Sequence, residues 1–329
     1  MSRLMSRLMS RLMSTQRTRR GRTLLLSLLA GASLTVAAVD DPGGPQGGGW
    51  QDGRSAGVTL SDSSIVLSGN GLGGRADGYR VPRPCWYEPG KSAEEMLQSQ
   101  ESVRTMWFRT NPGATEEEYE EFLKQYKDKV GQPGRWWSPA YNSADPDGMS
   151  CWAGLEGALW VPPGTTPPGG ITAQELLQIA RAALTVPEPT INLNPDAKSY
   201  VNLPTWVWLD GIGATTRSVT ATLPGVMSAT VTATLDRTEV GSVPGGSRAE
   251  IANACGTTGQ RDQSAAFTCG VKYLRSSADL PRPYSLTVTT FWDVAGTSTA
   301  GIGLTFAPVE VTVERGVAVG EVQSTVRRD

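Results

Sequence analysis

Histidine is missing from all 329 residues of the chain. A nucleophile activated by a histidine base, as in a Ser-His-Asp or Cys-His arrangement, is therefore excluded. A zinc site built on an HExxH helix is excluded for the same reason. Any acid–base catalyst in this protein would have to be a carboxylate, a lysine or a tyrosine.

The chain also lacks a marked excess of either charge, since 30 Lys and Arg residues stand against 32 Asp and Glu. A net charge of −2 provides no positive field for nucleic acid. Apolar residues are scarce at 39%, whereas glycine and proline number 38 and 22. This composition favours long loops around a modest core.

Long apolar runs are absent too, because the longest, residues 23–36, falls short of the roughly 20 residues that span a bilayer. It follows an arginine-rich segment at 17–22 and ends in small residues. This order is typical of a cleavable secretory signal. We predict that residues 1–38 are a signal peptide and that no transmembrane segment remains in the mature chain. Three tandem copies of MSRL before Met13 indicate Met13 as the true start.

Only four cysteines are present, and none belongs to a CxxC pair: Cys85, Cys151, Cys255 and Cys269. A zinc site is not favoured by this spacing. An even number of cysteines behind an export signal predicts two disulfides. Of three possible connectivities we favour Cys85–Cys151 with Cys255–Cys269, because each bond then lies within one predicted domain. Four free thiols are the alternative.

The mature chain divides by composition into four parts. Residues 39–84 are predicted to be a Gly-rich disordered leader with short β segments. Residues 85–210 form a Trp-rich α+β segment. Residues 211–315 alternate β-branched and small residues between turns, which is typical of a small β-sandwich of the PKD or Ig type. Residues 316–329 are a tail.

Three helices are predicted in the Trp-rich segment, at 91–104, 115–130 and 173–184. Thr115 and Glu118 have the spacing of a capping box, while Ser92 and Thr172 are expected caps of the other two. The predicted fold class is therefore α+β, with a helical, Trp-rich N-terminal part followed by an all-β PKD/Ig-like sandwich.

Several segments of the second half together carry a resemblance. They are the helix at 173–184, TVPEPTINLNP, VNLPTWVWLD, VTATLPGVMSATVTATL and CGVKYLRSSA. In combination they resemble a family of uncharacterised secreted proteins from high-GC Gram-positive bacteria such as Streptomyces, over residues 155–315. The resemblance implies export and a PKD-like β domain, but no particular chemistry. The chain departs from the family at LDRTEVGSVPGG, where relatives carry a turn similar to Trp-Met-Gly-Asp-Gly.

One segment partly matches a nucleotide-binding motif. CWYEPGKS at 85–92 resembles GxxxxGK[ST], with Gly90, Lys91 and Ser92 as the residues that would contact phosphate. Cys85 replaces the first glycine, and Pro89 removes a backbone donor. The alternative is that Gly90, Lys91 and Ser92 form the turn and cap of a helix. GNGLGG at 69–74 lacks the helix that a dinucleotide site needs, and is interpreted as a loop.

A calcium site is a further hypothesis. Asn142, Asp145 and Asp147 supply oxygen ligands of the kind that Ca²⁺ prefers. Their spacing is not that of an EF-hand, and turn formation by the same side chains is the alternative. No other cofactor is predicted.

The aromatic residues near Cys151 are a candidate stacking platform for sugars: Trp136, Trp137, Tyr141 and Trp152. The alternative is that they fill a core poor in Leu and Ile. We therefore predict a secreted, non-catalytic cell-envelope or extracellular protein that binds protein or wall glycan. The alternatives are a carboxylate-based hydrolase acting on envelope polymers and a nucleotide-binding protein.

Overall fold

The computed structural model describes residues 57–322. The predicted signal peptide, the leader up to residue 56 and the end of the tail lie outside the described residues. Within them, helices are few and short. They are α1 (Ala93–Ser102), α2 (Arg104–Thr110), α3 (Glu116–Lys127), α4 (Gly148–Ala153) and α5 (Ala173–Ala183).

Strands contain more of the described residues than helices do. They are β1 (Leu60–Ser61), β2 (Val66–Ser68), β3 (Cys85–Pro89), β4 (Arg135–Asn142), β5 (Leu159–Val161), β6 (Thr190–Asn194), β7 (Ser199–Tyr200), β8 (Pro204–Asp210), β9 (Thr216–Leu223), β10 (Met227–Val243), β11 (Ala249–Asn253), β12 (Cys269–Tyr273), β13 (Tyr284–Ser298), β14 (Gly303–Val317) and β15 (Val319–Gly320).

Three antiparallel sheets organise these strands. The first sheet has the order β1-β4-β3, with β5 also paired to β4. The long sheet has the order β14-β13-β10-β9-β2, and the small sheet β11-β12-β8-β6. The short strands β7 and β15 form a parallel pair.

The predicted fold class is wrong. The chain is mostly β, and most tryptophans of the segment predicted to be helical lie in strands: Trp86, Trp136, Trp137, Trp160, Trp206 and Trp208. The physical reason is that bulky aromatic side chains pack well on a pleated, half-buried surface. A separate PKD/Ig-like sandwich is not formed either. Strands β6 and β8, which precede residue 211, share the small sheet with β11 and β12, which follow it.

The helix caps are confirmed. Ser92, Thr115 and Thr172 each accept a hydrogen bond from the backbone three residues later, and each completes a capping box with a glutamate at that position. These interactions lie within four residues of chain, which is why sequence alone predicts them.

Helix α5 lies against the long sheet. Leu176, Leu177 and Ile179 are fully buried, and the helix contacts β9, β10 and β13. Gly296 of β13 makes this packing possible, because a Cβ there would lie 2.8 Å from the Leu177 side chain. Residues of both the long and the small sheet belong to one hydrophobic core.

A β-bulge keeps the buried side chains of β10 on one face of the long sheet. In β10 the buried residues have odd numbers up to Leu235 and even numbers from Thr238, with the register shift between Leu235 and Arg237. The extra residue of a bulge shifts the alternation by one position. After it, the residues with even numbers face the core instead of those with odd numbers. Helix α5 and the strands β11 and β12 of the small sheet all contact β10.

Within residues 57–322, no helix has the length and apolarity needed to cross a membrane.

Candidate functional site

Strand β8 alternates two kinds of side chain. Val207 and Leu209 belong to the core, whereas Trp206, Trp208 and Asp210 point to the opposite side of the small sheet. Both tryptophans remain partly exposed. Because side chains two residues apart in a strand share a face, the two indoles stand about 7 Å apart along β8.

Strand β6 adds two amides to this surface. Asn192 lies directly across from Trp208, and Asn194 directly across from Trp206. Their neighbours Ile191 and Leu193 are buried in the core. Each partly exposed indole therefore has a carboxamide beside it on the adjacent strand.

The loop between β11 and β12 lies against the other edge of β8. The Gln260 N–H donates to the carbonyl of Val207 at 2.7 Å, and Leu209 N–H donates to the carbonyl of Thr258 at 2.9 Å. Gly259 stands between them with φ +80°. A Cβ at this position would lie 2.5 Å from the Val207 oxygen, so only glycine permits so close an approach.

The Gln260 side chain closes this loop. Its Oε1 accepts hydrogen bonds from the backbone and hydroxyl of Thr268 at 2.9 and 2.8 Å, and from the Cys269 N–H at 3.2 Å. Its Nε2 donates to the Ala266 carbonyl at 2.7 Å. The Cys255–Cys269 disulfide joins the two ends of the loop.

Two side chains of the closed loop flank the tryptophans. The Phe267 ring meets Trp206 edge-on, with centroids 5.0 Å apart. The Arg261 guanidinium lies 5.5 Å from the centroid of Trp208, within the range of a cation–π interaction. We call the surface formed by Asn192, Asn194, Trp206, Trp208, Asp210, Arg261 and Phe267 the tryptophan face.

An ion pair lies at one end of the tryptophan face. Arg261 Nη2 is 3.0 and 3.2 Å from the two oxygens of Asp210. Asn192 Nδ2 donates to the same carboxylate at 2.9 Å. The two charged side chains are 69% and 56% exposed, so the pair contributes little to stability and mainly holds Arg261 beside Trp208.

The tryptophan face combines flat apolar rings with hydrogen-bonding groups. Within the described residues, the Trp208 indole N–H is shielded from solvent and has no hydrogen-bond partner. This N–H is therefore out of a ligand's reach, and the groups that a ligand can contact are the exposed parts of the rings and the amides beside them. Rings for stacking together with a few placed polar groups are the usual composition of a binding site.

The residues of the predicted platform are placed differently. Trp136, Trp137 and Tyr141 are at most 9% exposed, and alternation along β4 sends Trp136 and Trp137 to opposite faces. Trp136 packs against Tyr126. Within the described residues, Tyr141 and Trp152 are the two members in ring contact, with centroids 5.8 Å apart.

The GKS segment follows a strand and precedes a helix. Gly90 N–H donates to the Trp136 carbonyl at 2.8 Å, and Lys91 Nζ donates to Ser99 Oγ at 2.6 Å. The Ser92 side chain caps α1. The four residues that would form a phosphate loop instead lie in β3, paired antiparallel with β4. This arrangement is that of a turn and helix cap, in which the phosphate-binding groups are already bonded within the protein.

The side-chain oxygen atoms of the predicted calcium ligands also accept hydrogen bonds within the protein. Asn142 is buried, and its Oδ1 accepts from Thr59 N–H at 2.8 Å and Ala144 N–H at 3.2 Å. Asp145 Oδ1 accepts from Asp147 N–H at 2.9 Å. In the part of the chain that the structure describes, no three His, Cys, Asp or Glu side chains are grouped as a metal ion would require.

Both disulfides are formed, between Cys85 and Cys151 and between Cys255 and Cys269. The predicted number and pairing are confirmed.

The tryptophan face is not among the sites predicted from the sequence. The sequence feature that indicates it is Thr-Trp-Val-Trp-Leu-Asp at 205–210, in which large aromatic residues alternate with buried ones along the strand. An amphipathic strand normally places small or polar residues there. The loop residues Arg261 and Phe267 carry no such signal.

Comparison with family models, with curated proteins and with solved structures finds no match to this chain.

Proposed function

We propose that this protein is an exported, non-catalytic protein of the cell envelope or extracellular space, and that it binds wall glycan through the tryptophan face. The observation that carries the proposal is the pair of partly exposed indoles on β8 with amides beside them on β6. Sugar rings present C–H groups on their faces and hydroxyls at their edges. The C–H faces stack on indoles, and the hydroxyls form hydrogen bonds with amides.

Export is supported by the two disulfides, because such bonds persist in oxidising compartments. The signal-like segment at the N-terminus and the resemblance to secreted proteins of high-GC Gram-positive bacteria point to the same location.

A non-catalytic role is supported by the surroundings of Asp210, the carboxylate of the tryptophan face. Glycoside hydrolysis requires two placed carboxyl groups. Asp210 is engaged by Arg261 and Asn192, so its charge is balanced and one of its oxygens is shared between two donors.

The test is co-sedimentation of the purified chain, with its disulfides formed, on isolated cell-wall material. We expect the wild type to sediment with the walls. Trp206→Ala and Trp208→Ala should each weaken retention about tenfold, the loss typical of an aromatic anchor at a binding surface.

Trp152→Ala is the matched control, since it removes another partly exposed indole, one that belongs to the aromatic set predicted from sequence. It should sediment like the wild type. Full retention of a Trp206→Ala/Trp208→Ala double variant would show that the tryptophan face is not the site, and loss of retention in Trp152→Ala alone would move the site to the residues around Tyr141.

A further inference from the structure

On the side of the small sheet that carries the tryptophan face, charged side chains form ion pairs with one another. Arg261 contacts Asp210 at 3.0 Å. Lys272 forms the second ion pair, with Glu250 at 2.5 Å. It lies two residues after Gly270, which is directly across from Trp206. Side chains two residues apart in a strand share a face, so both ion pairs lie on the side that carries the tryptophans.

The loop between β11 and β12 adds a negative charge to the edge of the tryptophan face. Hydrogen bonds from the hydroxyl and backbone of Ser264 hold the pKa of the Asp262 carboxyl below its usual value. The tryptophan face and its rim therefore carry no positive excess with which to attract an anionic polymer.

We propose that the ligand of the tryptophan face is an uncharged glycan, and that Asp210 sets this specificity by neutralising Arg261 beside Trp208. The inference rests on the proposed function and adds the class of glycan to it. A neutral chain needs only stacking surfaces and hydrogen-bonding groups, and the two indoles and two amides supply both. An anionic chain would instead meet a guanidinium whose charge is already balanced.

The experiment compares three surfaces at low and high salt: isolated cell walls, the same walls stripped of their anionic polymers, and beads coated with polygalacturonate. We expect the purified chain to bind stripped and untreated walls equally. Salt should leave this retention unchanged, because screening weakens charge–charge attraction and not stacking. The wild type should not be held by polygalacturonate.

Asp210→Asn is the informative variant, because it leaves Arg261 without its carboxylate at an exposed strand end. Its retention on polygalacturonate should rise about fivefold, the attraction that one basic residue gains at an anionic surface, and high salt should abolish the gain. Asp236→Asn is the control for net charge, since it removes the same charge beside Arg237 on the long sheet, where Glu239 still pairs with that arginine. It should gain nothing.

Loss of wild-type binding when the walls are stripped, or salt-sensitive binding of the wild type to polygalacturonate, would overturn the inference while leaving glycan binding in place. Equal polygalacturonate binding by Asp210→Asn and Asp236→Asn would overturn the role of Asp210. Absence of binding to both wall preparations would overturn the proposed function itself.

Discussion

Glu88 shows how one buried side chain can hold two distant segments together. It lies in β3 at 3% exposure, and its carboxylate accepts hydrogen bonds from the hydroxyls of Ser63 and Ser64, from Ser64 N–H and from the Trp86 indole. The distances run from 2.6 to 2.9 Å. Four donors offset much of the desolvation cost of a buried carboxylate, and they fix the segment before β2 against β3.

We predict that Glu88→Ala lowers the free energy of unfolding by about 3–5 kcal/mol, because it leaves several buried donors without an acceptor. The measurement is urea-induced unfolding followed by tryptophan fluorescence, with the disulfides intact. Glu239→Ala removes a more exposed glutamate on β10 and should change stability by less than about 0.5 kcal/mol. A loss below about 1 kcal/mol for Glu88→Ala would mean that water replaces the carboxylate as acceptor.

At the scale of elements, two helices with the same cap differ in what they pack against. Helix α5 is buried along most of its length against the long sheet. Helix α3 buries Tyr119 and Leu123 and exposes most of its charged residues. Since packing, more than propensity, stabilises helices in proteins, α5 is coupled to global unfolding and α3 much less so.

Removal of each cap tests this difference. Thr172→Ala should lower the free energy of global unfolding by about 1 kcal/mol, the usual cost of losing an N-cap. Thr115→Ala should instead increase hydrogen exchange at the start of α3, with a smaller change in global stability, because that helix opens locally. Denaturant unfolding and amide exchange on both variants give the comparison, and a larger global loss for Thr115→Ala would contradict it.

At the scale of the whole molecule, the two disulfides constrain chain segments of very different length. Cys85 and Cys151 are 66 residues apart, and Cys255 and Cys269 are 14 apart. The longer closed segment contains α1 to α3 and β4, and the shorter one is the loop that carries Arg261 and Phe267.

We predict that replacing Cys85 and Cys151 by serine costs about 4 kcal/mol of stability, and replacing Cys255 and Cys269 about 3 kcal/mol, as the entropy of the closed loops implies. Guanidinium unfolding of the two double variants measures both. The second pair should also weaken retention on cell walls, because the loop side chains would no longer be held beside the tryptophans. Unchanged retention would show that the hydrogen bonds of the loop keep it in place without the disulfide.

Local features of this protein were determined by the sequence. The three capped helices and the alternating strands β9, β10, β13 and β14 follow from residues close along the chain, and the number of disulfides follows from the number of cysteines. Capping and side-chain alternation act over a few residues. They can therefore be predicted from the sequence without knowledge of the fold.

Only the tertiary structure decided which surface is a candidate site. Strands β4 and β8 each carry two tryptophans, yet Trp136 and Trp137 are buried, whereas Trp206 and Trp208 remain partly exposed. Gly259 meets Trp208 across more than fifty residues of chain, as Ser63 meets Glu88 across 25. Which strands pair, and in which register, depends on burial summed over the whole core, and no short motif carries that information.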